Sequence, residues 1–396
     1  MNKFIFGEAM DYVKLGDLCV INSGGTPRRN NESYWKNGDI PWVKIGDLNN
    51  GIVESTEEFI TLDGLKNSSA KIFPSGTLLY TIFATIGEVA ILNIDAATNQ
   101  AIVGLQLKEN QKVYLKYIYY YLKSQTNIIK QLGRGVAQNN INLSVVKDMI
   151  IHIVSLEKQS NIIATLSKLE KIKENRIIIL NYLDGLIKSR FVDLFGDIEL
   201  NEKKWKKIRF GELINSANNG LARRGNDQDG NIVLRLIELQ ENFINYSGPN
   251  RILLTDDEKK RYRLLEGDLL FARVNGNPKN VGRCATFYEC EEQVYHNDHI
   301  IRTSCDKSQL DSVFAAYLFN SEYGKNRISK KIKTSAGQYT INQEGLKSIE
   351  IILPPIGIQY SFAKLVKQIN KLKSDVQKSI DETQLLMDSL MQEYFG

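Results

Sequence analysis

Cysteine, histidine and proline are scarce: four, three and seven in 396 residues. No two cysteines form a Cys-x-x-Cys pair, which removes the usual zinc frameworks and disulfide scaffolds and points to a reducing, cytoplasmic setting. Apolar runs are short. The stretch from Thr77 to Ala84 is strand-sized, well below the ~18 residues of a membrane span, so no membrane partner is expected. The opening MNKFIFGEAM lacks the apolar core and cleavage site of a secretory signal. Nucleotide-binding fingerprints are absent too, with neither GxGxxG nor GxxxxGK[ST] present. What is there is ordinary for a folded chain: 42% hydrophobic and 24% charged residues, with a net charge of +5. That charge is too small to name a partner.

The informative feature is a duplication. Shifted by 200 residues, Phe195-Gly196 falls on Phe395-Gly396, Leu186 on Leu386 and Gln159 on Gln359. Gln138, Ile141 and Asn142 fall on Gln338, Ile341 and Asn342. Residues 113–196 share sixteen identities with 313–396, where unrelated sequences would share roughly five. Upstream the match loosens: Trp42-Val-Lys-Ile-Gly-Asp47 resembles Val233-Leu-Arg-Leu-Ile-Glu238, and Asn99 falls near Asn297. A unit of this length is a duplicated domain rather than a solenoid repeat.

Each half divides in two, which sets boundaries at 1–154, 155–196, 197–354 and 355–396. The front parts alternate short strand-like runs with turn residues. Strands are expected near Ile40–Ile45, Thr77–Phe83, Val89–Leu92 and Ala101–Leu107. In the second half they are expected near Ile232–Glu238, Asp268–Arg273, Gly282–Phe287 and His299–Thr303. One helix follows in each, over Val113–Ser124 and Asp311–Tyr323. The back parts read as long helices with apolar residues stepping by three and four. The first seam takes Ile162, Leu166, Leu169, Ile172, Leu183 and Leu186, with Arg176, Ile179 and Arg190 in register. The second takes Val366, Ile369, Leu372, Val376, Leu386 and Leu390, with Phe362, Ser379 and Thr383 in register. Such a pattern needs a partner, and the two helices are expected to pair as an antiparallel coiled coil. The fold class is therefore α+β: two mixed α/β domains alternating with two long helices, in a pseudo-two-fold repeat. A protein of that symmetry suits two separated half-sites on a duplex.

Polar, glycine-punctuated loops supply candidate contacts. Ser23-Gly-Gly-Thr-Pro-Arg-Arg29 offers Ser23, Thr26 and Arg28, and its counterpart ends in Arg223 and Arg224. Lys44 and Arg235 occupy matching strands. Arg273-Val-Asn-Gly-Asn277 brings Arg273, Asn275 and Asn277, residue types suited to guanine and adenine edges. Gly133-Arg134-Gly-Val-Ala-Gln138 and Ser335-Ala-Gly-Gln338 form a matched pair of polar loops offering Arg134, Gln138 and Gln338, and Lys331 lies in a run of five cations within Lys325–Lys333. Residues 203–354 hold 24 basic against 19 acidic side chains, and residues 1–154 hold 15 against 14. Enzyme chemistry finds little support. Asn277-Pro278-Lys279 lacks the second proline and aromatic of an amino-methyltransferase motif, and Glu258-Lys259-Lys260 has no upstream Pro-Asp. His296-Asn-Asp-His299 reads as a polar loop pair rather than a metal site.

These features together resemble the specificity subunit of type I restriction–modification systems. The resemblance rests on Lys14-Leu-Gly-Asp-Leu18, Ser23-Gly-Gly-Thr-Pro27, Ile40-Pro-Trp-Val-Lys-Ile-Gly-Asp47, Gly337-Gln-Tyr-Thr-Ile-Asn342 and Ile349-Glu-Ile-Ile-Leu-Pro-Pro355. It implies a DNA-binding chain without its own active site, whose two domains read a split target in double-stranded DNA. The helices would fix the gap and dock two copies of a modification (methyltransferase) subunit. No cofactor is implied for this chain. S-adenosylmethionine would come with the modification subunit, and ATP and magnesium with a restriction subunit. A coiled-coil adaptor without sequence readout is the alternative.

Overall fold

The computed structural model describes residues 11–48, 51–134, 141–335 and 337–396. The chain forms two compact units, residues 1–177 with 377–396, and residues 178–376, so both divisions fall inside the long helices. No helix among the described residues is long and apolar enough to cross a membrane.

The duplication reappears in the strand order. In the first unit, Cys19–Ser23, Ile102–Leu107, Leu78–Thr81 and Val89–Leu92 lie side by side, with Ile52–Val53 added at the edge. In the second, Ile214–Asn219, Ile300–Cys305, Leu269–Ala272 and Cys284–Thr286 take the same order. Each unit has a further sheet around a parallel pair: Ile40–Val43 with Ala96–Thr98, and Asn231–Leu234 with Val294–His296. In both, the opening strand pairs antiparallel with the strand that precedes the long helix, Asp11–Lys14 with Ile150–Ile153 and Lys206–Arg209 with Glu350–Leu353. Pairing between distant segments closes each domain on itself.

Gln159 and Gln359 explain one of the repeat's identities. Both are fully buried. Gln159 accepts from Tyr114 N and donates to the carbonyls of Lys112 and Val154. Gln359 accepts from Asp311 N and donates to Gln309 and Pro354. Each buried amide thus has every polar group matched to the backbone, and removing it would orphan three groups at once.

The two long helices run over Leu156–Phe195 and Ile356–Phe395. Within each unit a segment of one lies antiparallel to a segment of the other. Lys173 donates to Gln384, and Arg176 to Ser379 O and Thr383, in the first unit. Lys373 pairs with Asp184, and Phe191 and Phe195 pack on Phe362, in the second. The polar register positions Arg176, Ser379 and Thr383 thus bond to one another.

The seam differs from expectation in phase. Leu186, Leu372 and Leu386 are about half exposed, at 50, 53 and 49%, whereas Ile187, Ile380 and Met387 are buried. For Leu186 and Leu386 the reason is the helical period. Eight steps of 3.5 lead from Ile162 to Arg190, while eight of 3.6 lead to Phe191. Arg190 is exposed and Phe191 buried. The same phase takes Phe362 to Met391 rather than to Leu390, which is only partly buried. Ile162, Leu166, Val366 and Ile369 keep their expected buried places, and Leu169, Ile172, Leu183 and Val376 are partly buried.

Two shorter helices also depart from their expected limits. The first runs Leu115–Arg134. The second stops at Asn320, because Ser321 caps a new helix, Glu322–Ser329, by accepting from Gly324 N.

Candidate nucleic-acid interface

In both units the front loop is laced to the turn that leads into the neighbouring strand. Gly24 N donates to Ile102 O and Gly25 N to Thr98 O. Leu221 N donates to His296 O, and Asp298 N returns a bond to Leu221 O. A Cβ at Gly24 would overlap Thr98 and the Asn99 carbonyl, and one at Gly220 would overlap the carbonyls of His296 and Asn297. Only glycine allows this approach. Asn99 and Asn297 then cap the same turn, accepting from Ala101 N and His299 N. One backbone device is built twice, carrying different side chains.

In the first unit Ser23 ends its strand opposite Val103. The Thr26 hydroxyl donates to Gln100, and Arg28 is exposed. Arg29 stacks over Trp35 at 3.8 Å and Trp42 at 4.6 Å and pairs with Glu58. Lys44 pairs with Glu57 at 2.5 Å and lies 3.7 Å from Glu58, so Ser23, Thr26, Arg28 and Lys44 share one corner of the domain. Sequence reasoning does not single out Arg29, whose guanidinium lies against two tryptophans that no local pattern connects to it. Arg134 ends the helix Leu115–Arg134, and Gln138 lies outside the described residues.

In the second unit the candidates separate into groups. Arg224 donates to Asp298 Oδ1 at 2.7 Å and meets His299 Nε2 at 3.2 Å, while Arg273 Nε donates to Asp298 O at 2.7 Å. Val274–Asn275 pairs with Gln338–Thr340, which pairs with Lys333–Ser335, so Asn275 and Gln338 share a small sheet just after exposed Lys331. The carboxamide oxygens of Asn275 and Asn277 cap turns by accepting from Asn277 N and Lys279 N, and among the described residues no hydrogen bond occupies their side-chain N–H groups. Two arginines turn elsewhere. Arg223 pairs with Glu258, of the Glu258-Lys259-Lys260 run, at 2.8 Å. Arg235 pairs with Glu238 on its own turn. That turn is another repeated device, since Asp47 accepts from Lys44 N as Glu238 does from Arg235 N.

Most of these cations already have a carboxylate. The Lys44–Glu57 pair is the exposed kind that contributes little to stability, whereas the carboxylates of Glu238, Glu258 and Asp298 are at most a quarter exposed and hold their arginines in position. His296 is fully buried and donates from Nδ1 to Tyr262 O. Burial lowers its pKa to about 4 and keeps it neutral. Among the described residues no three His, Cys, Asp or Glu side chains converge as metal ligands would.

Comparison with known proteins agrees with this architecture. A family model described as the type I restriction modification DNA specificity domain matches twice, at residues 7–181 and 202–383. The specificity subunit of the type I restriction enzyme EcoKI from Escherichia coli (strain K12) is 22% identical over 382 residues, covering 91% of this chain and 82% of that one. That of StySPI from Salmonella potsdam is 24% identical over 413 residues, covering 99 and 89%. Among solved structures, the type I S subunit from M. genitalium shares the fold with a TM-score of 0.56 at 15% identity, covering 99% of this chain and 98% of that one. A chain from a study of complex assembly and conformational transition in the type I R-M system gives 0.60 at 15%, covering 99% of both.

Proposed function

This chain belongs to the type I restriction–modification DNA specificity family, and from that membership we propose how its parts divide the work. Each front domain reads one half of a split sequence in double-stranded DNA. The long helices set the gap and dock two modification subunits, which bring S-adenosylmethionine and methylate adenine. Restriction subunits using ATP and magnesium can join the same assembly, which acts in the cytoplasm. The chain itself recognises and positions, and contributes no catalytic group.

One observation carries this reading: the two units repeat the backbone of the reading loops and differ in the side chains those loops present. Gln100 stands where the second unit has Asp298, and Thr26 where it has Ala222. A scaffold copied with its contacts exchanged is what two different half-sites require. Exposed apolar side chains on the long helices support the docking role. They include Ile178, Ile179 and Tyr182 in one unit and Leu385 in the other.

Lengthening the helices tests the division of labour. Four residues added to each, at the 177/178 and 376/377 positions, extend it by about 6 Å, roughly two base pairs. Sequencing modified sites should then show both half-sites unchanged and the gap longer. An unchanged gap contradicts the spacer role, and an adaptor without readout would yield no shared modified sequence at all.

A further inference from the structure

His299 reads in the sequence as half of a polar pair, yet the fold sets its ring against the Arg224 guanidinium and ties Arg273 to the residue before it. Arg224 reaches its Nε2 at 3.2 Å, and Arg273 is tied to the preceding carbonyl, Asp298 O. An arginine only donates, so Nε2 must be the acceptor and the ring proton must sit on Nδ1. Burial lowers the pKa of His299; Arg224 and Arg273 lower it further against the opposing pull of Asp298. The neutral ring this favours is the form the contact needs. No hydrogen bond occupies Nδ1 among the described residues, nor does one occupy the terminal nitrogens of Arg273.

The result is a cluster of donors gathered around Asp298. Matched hydrogen bonds show that it exists in one unit only. Arg273 N donates to His299 O as Ile82 N donates to Ala101 O, and Ile341 N donates to Arg273 O as Ile141 N donates to Ile82 O. The first unit therefore puts buried Ile82 and Ala101 where the second puts Arg273 and His299.

We propose that His299 is a specificity-determining residue of the second domain, which orients Arg224 through Nε2 and, with Arg224 and Arg273, presents donors to a guanine edge in the major groove. This rests on the reading of the chain as a two-part DNA reader. Guanine offers two acceptors, O6 and N7, on that edge, and donors held by Asp298 and by one another match it. Cytosine and adenine both place an amino donor in the same groove and would face the cluster with like groups.

The test is sequencing of modified sites in cells expressing the full chain with its modification subunit. In His299→Ala, discrimination at one guanine-bearing position of one half-site should fall about tenfold, with the other half-site unchanged. His299→Gln, whose amide oxygen can accept from Arg224, should restore it. An unchanged pattern in His299→Ala, or equal change in both halves, overturns the proposal. If His299→Ala gives no modification, His299→Gln decides: the wild-type pattern supports the assignment, and loss in both variants overturns it. A wild-type chain that yields no two-part site refutes the functional reading itself, which is a separate result.

Discussion

Replacing Asp268 by alanine should cost the second unit about 3–5 kcal/mol and lower its unfolding temperature by roughly 10 °C. Asp268 is 2% exposed and immediately precedes Leu269–Ala272, an inner strand of its four-stranded sheet. Its carboxylate accepts from Arg302 Nε at 2.6 Å and from Leu265 N at 2.7 Å. Arg302 is itself only 14% exposed. Alanine would strand a buried guanidinium and a backbone N–H together, which is more damaging than losing the pair's attraction. The first unit shows the alternative, for Thr77 stands at the Asp268 position and Gly104 at that of Arg302, with the Phe73 ring packed over the glycine. Thermal unfolding of Asp268→Ala beside Asp268→Ala/Arg302→Met separates the two causes. The double variant should recover much of the loss, and a double variant no better than the single would contradict the explanation.

Tyr182→Asp combined with Leu186→Asp should leave the chain folded and abolish its assembly with the modification subunit. The two residues are 75 and 50% exposed and four apart, so they lie on one helix face, beside Ile178 and Ile179. Large apolar side chains gathered on an exposed helix mark a contact surface, and aromatic anchors carry a disproportionate share of such contacts. Binding should fall at least ~tenfold by co-purification, with unfolding temperature unchanged. Undiminished association in a folded variant would move the docking site elsewhere.

The parts legible in the sequence are those that the duplication marks. Gln159 and Gln359, the phenylalanines that close the helices, and the strand cores all appear as matched positions, because each does the same local job twice. The helix phase was less legible. Steps of three and four fit 3.5 and 3.6 residues per turn equally over two turns, and diverge only near residue 186, where Leu186 and Ile187 are both apolar. Ion-pair partners were not legible at all. Glu58 comes to Arg29 and Lys44 from a strand, and Asp298 to Arg224 from a turn, whose placement no local pattern announces. His299 was visible as a residue but not as a participant, since its meaning comes from Arg224, 75 positions away.

Two glycines give the most direct test of the central claim that each domain reads its own half of a split site. Gly24→Ala and Gly220→Ala each push a Cβ into the backbone that carries one reading loop. Modified-site sequencing of the wild type and both variants should show a two-part site, with Gly24→Ala degrading one half and Gly220→Ala the other. A continuous site in the wild type, or both variants degrading the same half, would contradict the account.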